Sequence, residues 1–372
     1  MANVIKPDIN VVKQIISSGG ESLKKCYQCA TCSVVCNLSP DDNPFPRKEM
    51  INAQWGLKDR LVSDPNIWLC HQCSDCTAYC PRGAKPGEVI GAVRKMTIAH
   101  YAVPGFLAGM VGNIKYLPLL IAFPVLFLLA VLGATGHLHI PDGDKIVFGY
   151  LMPHTLVDMV FVPVAMFAAL VFAVGVLRFW KDIHGQCKGN CSLASLIPAI
   201  IAVKLDILAH NKFRKCEVNK GRALAHMGVF YGFIGLAITT ALAVFYLYIM
   251  GQHSPYPQLS PLKIIGNISA IALLTGITLV VINRLRVKAQ AGIGSYFDWL
   301  FIGVIYTVVL SGILAEVTRL MNIAMIAYPV YFLHLVSVFF LFFYAPYSKL
   351  AHMVYRFIAL VYAKKNEEKI PQ

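Results

Sequence analysis

The chain has 372 residues, of which 57% are hydrophobic and only 14% are charged. Soluble globular proteins usually contain about 25% charged residues, so this composition excludes an ordinary soluble domain and indicates that much of the surface lies in lipid. The formal net charge is +14. Because the charges flank apolar runs and form no basic stripe, they favour basic loops at a membrane over nucleic-acid binding.

The chain divides by composition into a polar head and an apolar remainder. Eight of the eleven cysteines lie within residues 1–100, and the long apolar runs begin at about Tyr116. We therefore predict a cysteine-rich domain at residues 1–100, a linker at 101–115 and a transmembrane domain at 116–372. The N-terminal stretch holds no apolar core of signal-peptide length, so we expect the head to lie in the cytoplasm. Clustered cysteines there are more often metal ligands than disulfides.

Two cysteine runs in the head share one spacing. The first reads CYQCATCSVVC and the second reads CHQCSDCTAYCP, so both have the pattern C-x2-C-x2-C-x3-C. This is the spacing of bacterial [4Fe–4S] ferredoxins, in which the fourth cysteine of each run ligates the other cluster. We therefore predict two clusters, one held by Cys26, Cys29, Cys32 and Cys80 and the other by Cys70, Cys73, Cys76 and Cys36.

Zinc is the alternative metal for the head, since it also binds paired CxxC motifs. A zinc site needs four ligands, however, and two runs of four cysteines with one spacing favour iron–sulfur chemistry. His71 lies inside the second run, where we expect it to tune a cluster. Cys187, Cys191 and Cys216 form no CxxC pair and are expected to be structural.

Apolar segments long enough to span a membrane follow the head. A spanning helix needs about 20 apolar residues, and only helices satisfy their backbone groups in lipid without a closed barrel. Six segments qualify: Tyr116–Thr135, His154–Leu177, Ala223–Met250, Ile264–Ile282, Trp299–Ala315 and Asn322–Ala345. The stretch Ser192–His210 is interrupted by Pro198, Lys204 and Asp206, so we expect an amphipathic helix in the interface and no seventh span.

Basic residues are concentrated on one side of the predicted spans. Seventeen Lys and Arg residues lie between spans two and three, between spans four and five, and after span six, against three in the opposite loops. Positively charged loops stay in the cytoplasm. We therefore expect a multi-pass inner-membrane protein whose head and C-terminus are cytoplasmic.

Histidines at membrane depth are costly and are functional candidates. His334 and His352 are 18 residues apart, which is five turns, so both would face one side of the last span if that helix ran on so far. One helix would then offer an imidazole near each membrane surface. We predict an inner haem b held by His226 and His352 and an outer haem b held by His154 and His334. The other histidines, at His137, His139, His184, His210 and His253, are expected to be solvated.

Three ionisable residues lie in or beside spans on the outer side. Asp158, Glu316 and Arg319 are candidates for a quinone pocket, because a quinone changes its protonation when it is reduced. They could equally be ordinary interface charges. No catalytic residue for a soluble substrate is visible.

These motifs resemble known redox families. The head, with IWLCHQCSDCTAYCPRG leading into VIGAVRKM, resembles the C-subunit of heterodisulfide reductase. The membrane half, through RALAHMGVFYGFIGL and the histidines 18 residues apart, resembles the cytochrome b subunit of heterodisulfide reductase and the nitrate-reductase gamma subunit. In the latter family the earlier helix carries a second histidine about ten residues after the first, where this chain has Leu236. His154 is our substitute ligand.

A single chain that fuses the two halves resembles the QmoC family, the membrane subunits of quinone-interacting membrane-bound oxidoreductase complexes. The resemblance implies a mainly α fold, with a small ferredoxin-like head on a six-helix bundle that binds haem b. It also implies menaquinone as substrate, flavin and iron–sulfur partners resembling QmoA and QmoB, and adenylylsulfate (APS) reductase as the downstream acceptor in sulfate respiration. The chain would then act as the membrane quinone oxidoreductase subunit of a complex.

Three alternatives remain open from the sequence. The chain could be a redox subunit of a heterodisulfide- or sulfite-reductase-type complex, although it lacks the CCG-type repeats of a subunit that cleaves a disulfide. It could be a non-redox membrane scaffold whose head binds zinc. A transporter is the third alternative, for which the sequence shows no paired, similarly interrupted helices.

Overall fold

The computed structural model describes residues 5–40, 42–141, 143–184, 196–210 and 222–367. The described residues form helices joined by turns and contain no β-strand, so the predicted mainly α fold is confirmed. The helices are α1 (Ile9–Ser17), α2 (Thr31–Val34), α3 (Arg47–Gln54), α4 (Lys58–Val62), α5 (Asn66–Leu69), α6 (Asp75–Ala78), α7 (Pro86–Tyr101), α8 (Gly105–Val111), α9 (Leu117–Ala134), α10 (Phe148–Leu151), α11 (His154–His184), α12 (Leu196–Ala209), α13 (Arg222–Tyr248), α14 (Pro261–Arg286), α15 (Lys288–Ala291), α16 (Tyr296–Leu320), α17 (Ala324–Tyr344) and α18 (His352–Glu367).

The head is a cluster of short helices built around α7. Pro86 occupies the first turn of α7, where its missing N–H costs no helical hydrogen bond. The apolar residues of α1, α3, α4 and α5 pack against α7 in one core that continues into the membrane bundle. At the end of α7, the hydroxyl of Tyr101 donates to Oδ2 of Asp182 on α11 at 2.9 Å. The head is therefore joined directly to a long apolar helix.

Six helices in the described part of the chain are long and apolar enough to cross a membrane, as predicted. They are Ile114–Ala134, His154–His184, Arg222–Tyr248, Pro261–Arg286, Tyr296–Leu320 and Ala324–Tyr347. The bundle end that contacts the head is called the head side below, and the other end the far side. The last described helix, α18, also lies on the head side, where Tyr355 stacks on Trp68 of α5 at 5.2 Å between ring centroids.

The helix that carries His334 does not continue to His352, so the expected single helix is wrong. Helix α17 ends at Tyr344 and is followed by two short 3₁₀ segments, Ala345–Tyr347 and Lys349–Ala351. Pro346 has no N–H to extend the ladder, and Ser348 is extended at φ −103° and ψ 177°. His352 instead opens the separate helix α18.

Helices α13 and α14 form an antiparallel pair in close backbone contact. A Cβ on Gly276 would lie 2.5 Å from the nitrogen of Val229, and a Cβ on Gly228 would lie 2.9 Å from Cα of Gly276. Small residues let membrane helices approach each other in this way.

Helix α12 is short, as expected for the stretch ending at His210, but it is apolar on both its packed and its exposed face, so the expected amphipathic pattern is weak. It has 14 residues and is not among the six long apolar helices. The face with Ala199 and Val203 packs on α18. The opposite face is exposed and carries Ile197, Ile201, Leu205 and Leu208. The first four residues of the predicted segment, 192–195, lie outside the described residues.

Candidate functional site

The two cysteine runs adopt the same backbone turn. In the first run Gln28 and Ala30 have φ values of 60° and 68°, and at the equivalent positions of the second run Gln72 and Ser74 have 52° and 72°. Non-glycine residues rarely take this left-handed conformation. Each turn leads into a short helix, α2 or α6, that carries the third cysteine. The repeated pattern in sequence is therefore a repeated structure.

The structure brings the cysteines together in the crossed sets predicted from the spacing. Burial raises the pKa of the Cys26 thiol, and the neighbouring thiols of Cys80 and Cys29 raise it further. Cys32 has Cys26, Cys29 and Cys80 as neighbours, and burial raises its pKa to about 11. The fourth cysteine of the second run thus lies with the first three of the first run.

The second set surrounds a small cavity. Burial raises the pKa of the Cys36 thiol to about 11, with Cys70 and Cys73 as its charged neighbours. A cavity of about 140 Å³ is lined by Cys36, Cys70, Cys73 and Cys76. Four thiols are the donor set that a [4Fe–4S] cluster takes. Among the residues that the structure describes, no three His, Cys, Asp or Glu side chains form a group that could hold a single metal ion.

A much larger cavity of about 1790 Å³ lies between part of the head and the bundle. Its head wall includes His71 and Gln72 of the second cysteine run, and its bundle wall comes from α13, α14, α16 and α18. His226 and His352 both line it, together with His210. Small-molecule and cofactor sites usually occupy about 300–1,000 Å³, so this cavity has room for more than one ligand.

His352 is held in the form that binds a metal. Its Nδ1 lies 2.6 Å from the carbonyl oxygen of Lys349, and burial lowers its pKa to about 3, so the ring is neutral. Metal-bound histidines typically donate one ring N–H to a carbonyl and bind through the other nitrogen. In that tautomer Nε2 of His352 is available to a ligand in the cavity.

The residue beside His226 was not predicted. His210 was expected to be solvated, but it is only 5% exposed and its Nε2 lies 3.2 Å from Nδ1 of His226. The expectation is wrong because His210 directly follows α12, which packs against α18, and because His210 itself lines the cavity. The apolar pattern of the α12 stretch was the signal in the sequence that this segment returns to the bundle.

The two histidines of the predicted outer pair lie on different helices, His154 on α11 and His334 on α17. Nδ1 of His334 lies 3.1 Å from the carbonyl oxygen of Val308 and 3.1 Å from Oγ of Ser311, both on α16. The next two residues of α17, Leu335 and Val336, pack against α9 and α11. His154 opens α11 and its ring centroid lies 5.3 Å from that of His253, which was expected to be solvated. The pairing of His154 with His334 stays a prediction.

The three residues predicted to form a quinone pocket belong to two networks. The hydroxyl of Tyr248 on α13 donates to Asp158. Glu316 accepts from Gln258 at 2.6 Å and from Arg319 at 3.3 Å, and it forms an ion pair with Lys263. Glu316 is thus paired with two cations and Asp158 with one hydroxyl, and their role at a quinone stays a prediction.

Three arginines from different elements converge on the first residues of the second cysteine run. Arg94 of α7 donates to the carbonyl oxygen of Cys70 at 2.5 Å. Arg356 of α18 donates to the same oxygen at 2.8 Å. Arg222 of α13 donates to the carbonyl oxygen of His71 at 3.0 Å. This segment thus touches both the head core and the bundle, whereas Cys29 of the first run is exposed. Cys187, Cys191 and Cys216 lie outside the described residues.

Comparison with known proteins assigns both halves. Residues 22–84 match the 4Fe-4S dicluster domain, and residues 113–372 match the family Citrate utilization protein B. Citrate utilization protein B of Escherichia coli is 30% identical over 314 residues, which cover 79% of this chain and 80% of that protein. No solved structure matches.

The head has its own relatives. The C-subunit of the H(2):CoB-CoM heterodisulfide,ferredoxin reductase of Methanothermobacter marburgensis is 37% identical over 103 residues, covering 26% of this chain and 55% of that protein. A protein of Archaeoglobus profundus that is like the C-subunit of heterodisulfide reductase is 36% identical over 94 residues, covering 25% of this chain and 48% of that protein. The chain spans about half the length of these relatives.

Fold, cysteine sets and relatives define the class: the chain has a 4Fe-4S dicluster head like the C-subunit of heterodisulfide reductase, joined to six helices long and apolar enough to cross a membrane. Within that class it belongs to the Citrate utilization protein B family. The predicted 4Fe-4S dicluster head is confirmed. The expected likeness to the C-subunit of heterodisulfide reductase is confirmed as well.

Proposed function

We propose that this protein is the membrane subunit of a quinone oxidoreductase complex, which passes electrons between menaquinone and flavin-containing partners. The observation that carries the proposal is the large cavity between head and bundle. It is lined by His226 and His352 on the bundle side and bordered by His71 and Gln72 on the head side. A carrier in this cavity would lie against one of the two cysteine sets.

Two [4Fe–4S] clusters in the head are proposed to be held by the crossed sets, Cys26, Cys29, Cys32 and Cys80, and Cys70, Cys73, Cys76 and Cys36. Bound clusters would supply two one-electron carriers. The run that holds three cysteines of the second set borders the large cavity through His71, Gln72 and Ser74, and the first set includes the exposed Cys29. This order supports a path from the membrane to the second set, then to the first set, and then to a soluble partner.

Haem b is proposed for the cavity, with His226 and His352 as its axial ligands. Both side chains line the cavity, and the Lys349 carbonyl fixes the ring of His352. A haem held there would supply a one-electron carrier between the quinone and the nearer cluster. A second, outer haem b is proposed for His154 and His334. Nδ1 of His334 lies 3.1 Å from the carbonyl oxygen of Val308, which would leave its Nε2 to a ligand, as argued for His352.

Menaquinol oxidation releases two electrons and two protons. The electrons would leave singly through the chain's carriers to a flavin of the partner, and the protons would pass to water. Partners resembling QmoA and QmoB, and APS reductase as final acceptor, follow from the resemblance of the fused chain to QmoC. The excess of basic residues at the head side supports a head in the cytoplasm and a protein in the inner membrane.

The comparisons favour a second candidate for the partner. The similarity to Citrate utilization protein B covers 80% of that protein, whereas the likeness to heterodisulfide reductase is confined to the head. In this reading the same carriers would serve a redox enzyme of citrate use. For a heterodisulfide-reductase-type complex, the sequence similarity covers the head alone.

Composition and electron transfer test the proposal together. The purified, anaerobically prepared protein should contain about eight non-haem irons per chain and show haem b bands in the reduced-minus-oxidised spectrum. Menadiol should reduce both the haem and the clusters. Re-oxidation of these centres by APS reductase in the presence of the flavin-containing partners would identify the acceptor. Zinc in place of iron would contradict the proposal, as would centres that menadiol leaves oxidised.

A further inference from the structure

Two residues that line the large cavity each carry a buried hydrogen-bonding atom that makes no hydrogen bond to the described part of the chain. These atoms are Nη1 of Arg284 and the hydroxyl oxygen of Tyr296. A buried polar group without a partner is destabilising, so two such donors beside one cavity point to an acceptor that the described part of the chain does not supply.

The surrounding residues fix Arg284 in this position. Its guanidinium lies over the ring of Trp299, 5.6 Å from the centroid. A Cβ on Gly294 would lie 2.5 Å from Nη1 of Arg284, so the guanidinium packs directly against the Gly294 backbone. Gly294 has φ +83°, which glycine adopts without strain. The guanidinium of Arg284 therefore packs closely against the Trp299 ring and the Gly294 backbone.

The charges nearby favour an electron-rich ligand. Asp298 forms an ion pair with Lys349, and its Oδ2 lies 3.9 Å from Nη1 of Arg284, beyond hydrogen-bonding distance. Two cations therefore share one carboxylate, which leaves this corner with a net positive charge. A carbonyl oxygen that gains electron density on reduction is stabilised in such a field.

Below the two donors the cavity wall is apolar and extends into the bundle. Ile277 and Val280 lie on the same face of α14 as Arg284, at spacings of seven and four residues. On α13, the wall includes Val229, Phe233 and Ala237. Their eight-residue span corresponds to about 12 Å along a helix. The site thus combines a polar end at the head side with an apolar channel toward the membrane interior.

We propose that this corner binds the head group of a quinone, with Arg284 and Tyr296 donating hydrogen bonds to one carbonyl oxygen and the isoprenoid tail lying along α13 and α14. The inference deepens the proposed function and rests on it. It moves the quinone to the head side, away from Asp158, Glu316 and Arg319. The quinone would lie beside His352, since Phe301 lines the same cavity 6.2 Å from that ring.

Binding of menadione to the full-length protein in detergent tests the site. Arg284→Met removes the charged donor at similar side-chain length, and Tyr296→Phe removes only the hydroxyl. Loss of a hydrogen bond from a charged donor should raise the dissociation constant about ten-fold or more, and loss of the phenol should raise it less. Arg286→Met and Tyr150→Phe, at exposed positions, are matched controls and should bind as the native chain does.

Haem content and cluster spectra, measured on the same samples, separate the outcomes. Weaker binding in either variant, with haem and clusters retained, supports the site. Unchanged binding in Tyr296→Phe and Arg284→Met, or weaker binding in Asp158→Asn alone, would overturn it. Loss of haem from Arg284→Met would also overturn it, because the donor would then serve a haem propionate. Failure of the native protein to bind menadione would instead remove the proposed function.

Discussion

Arg356 joins the bundle to the head by donating from Nη1 to the carbonyl oxygen of Cys70 at 2.8 Å. Its Nη2 lies 2.6 Å from Nδ1 of His71. Arg356 follows His352 by four residues on α18, so the two side chains leave the same face of the helix. One helix face therefore touches both the second cysteine run and the proposed haem site.

Removing the Arg356 charge should lower the reduction potential of the nearer cluster. A positive charge beside a cluster stabilises its more negative, reduced form, so Arg356→Gln should shift the midpoint to lower potential, and Arg356→Lys should shift it less. Redox titration followed by electron paramagnetic resonance gives the midpoints. Arg286→Gln, at an exposed position on α14, is the control. A native midpoint in Arg356→Gln would mean that the guanidinium only fastens the loop.

The shift caused by Arg356→Gln also tests whether each cluster takes its fourth cysteine from the other run. Arg356→Gln identifies which cluster signal belongs to the site of Cys70. Crossed ligation predicts that Cys36→Ser alters that signal, and that Cys80→Ser alters the other one. The opposite pattern, in which Cys80→Ser disturbs the signal marked by Arg356→Gln, would show that each run holds its own cluster.

His226→Ala and His352→Ala should remove the same low-spin haem. Each is proposed to supply one axial ligand, so loss of either leaves the iron with one imidazole. Low-temperature spectra of the two variants should lack the same band, and His139→Ala, in the loop after α9, should retain it. If the two variants lose different bands, the proposed pairing is wrong. His334→Ala reports separately on any second haem.

The parts of this protein that depend on local pattern could be predicted from sequence. The cysteine spacing identifies the dicluster head because the ligands of one turn are neighbours in the chain, and the apolar runs identify the six long helices because each must satisfy its own backbone groups. The crossed thiol sets also follow from the motif spacing, and Cys80 lies beside Cys26 and Cys32 in the structure.

Features that depend on packing between elements could not be predicted. The break after Tyr344 separates His334 from His352, although their spacing fits one helix. His210 is buried because α12 folds back onto α18. Arg284 and Tyr296 form a site because the loop after α14 brings Gly294 against the guanidinium. Each of these contacts joins segments that no periodicity relates.

The head should become less stable as the pH rises, because of Glu49. This residue is fully buried, and burial, with Asp64 nearby, raises its pKa from 4.5 to about 8. The folded head therefore holds a proton that the unfolded chain releases between these values. Its contribution to stability is complete below pH 4.5 and is lost as the pH rises through about 8.

Glu49→Gln tests this dependence, since the amide keeps the shape and cannot ionise. We expect the temperature of cluster loss, followed anaerobically by visible absorbance, to fall less between about pH 5 and 8 than in the native protein, and to lie several degrees higher at the upper end. Glu21→Gln, at an exposed carboxylate, should keep the native slope. An unchanged slope in Glu49→Gln would assign the pH dependence to other groups.

Gly276→Val should separate α13 from α14. A Cβ at this position meets the backbone nitrogen of Val229 at 2.5 Å and the carbonyl carbon of Gly228 at 2.7 Å, and backbone atoms in a helix cannot move aside. Overpacking costs about 1–3 kcal/mol or more, so the thermal midpoint in detergent should fall by several degrees. Because both helices line the cavity, the proposed haem should also be lost more readily.

Gly303→Ala is the matched control: its Cβ meets nothing within 4 Å, and alanine in a helix is favoured over glycine by about 0.5–1 kcal/mol. A native midpoint in Gly276→Val would mean that the two helices do not need this contact.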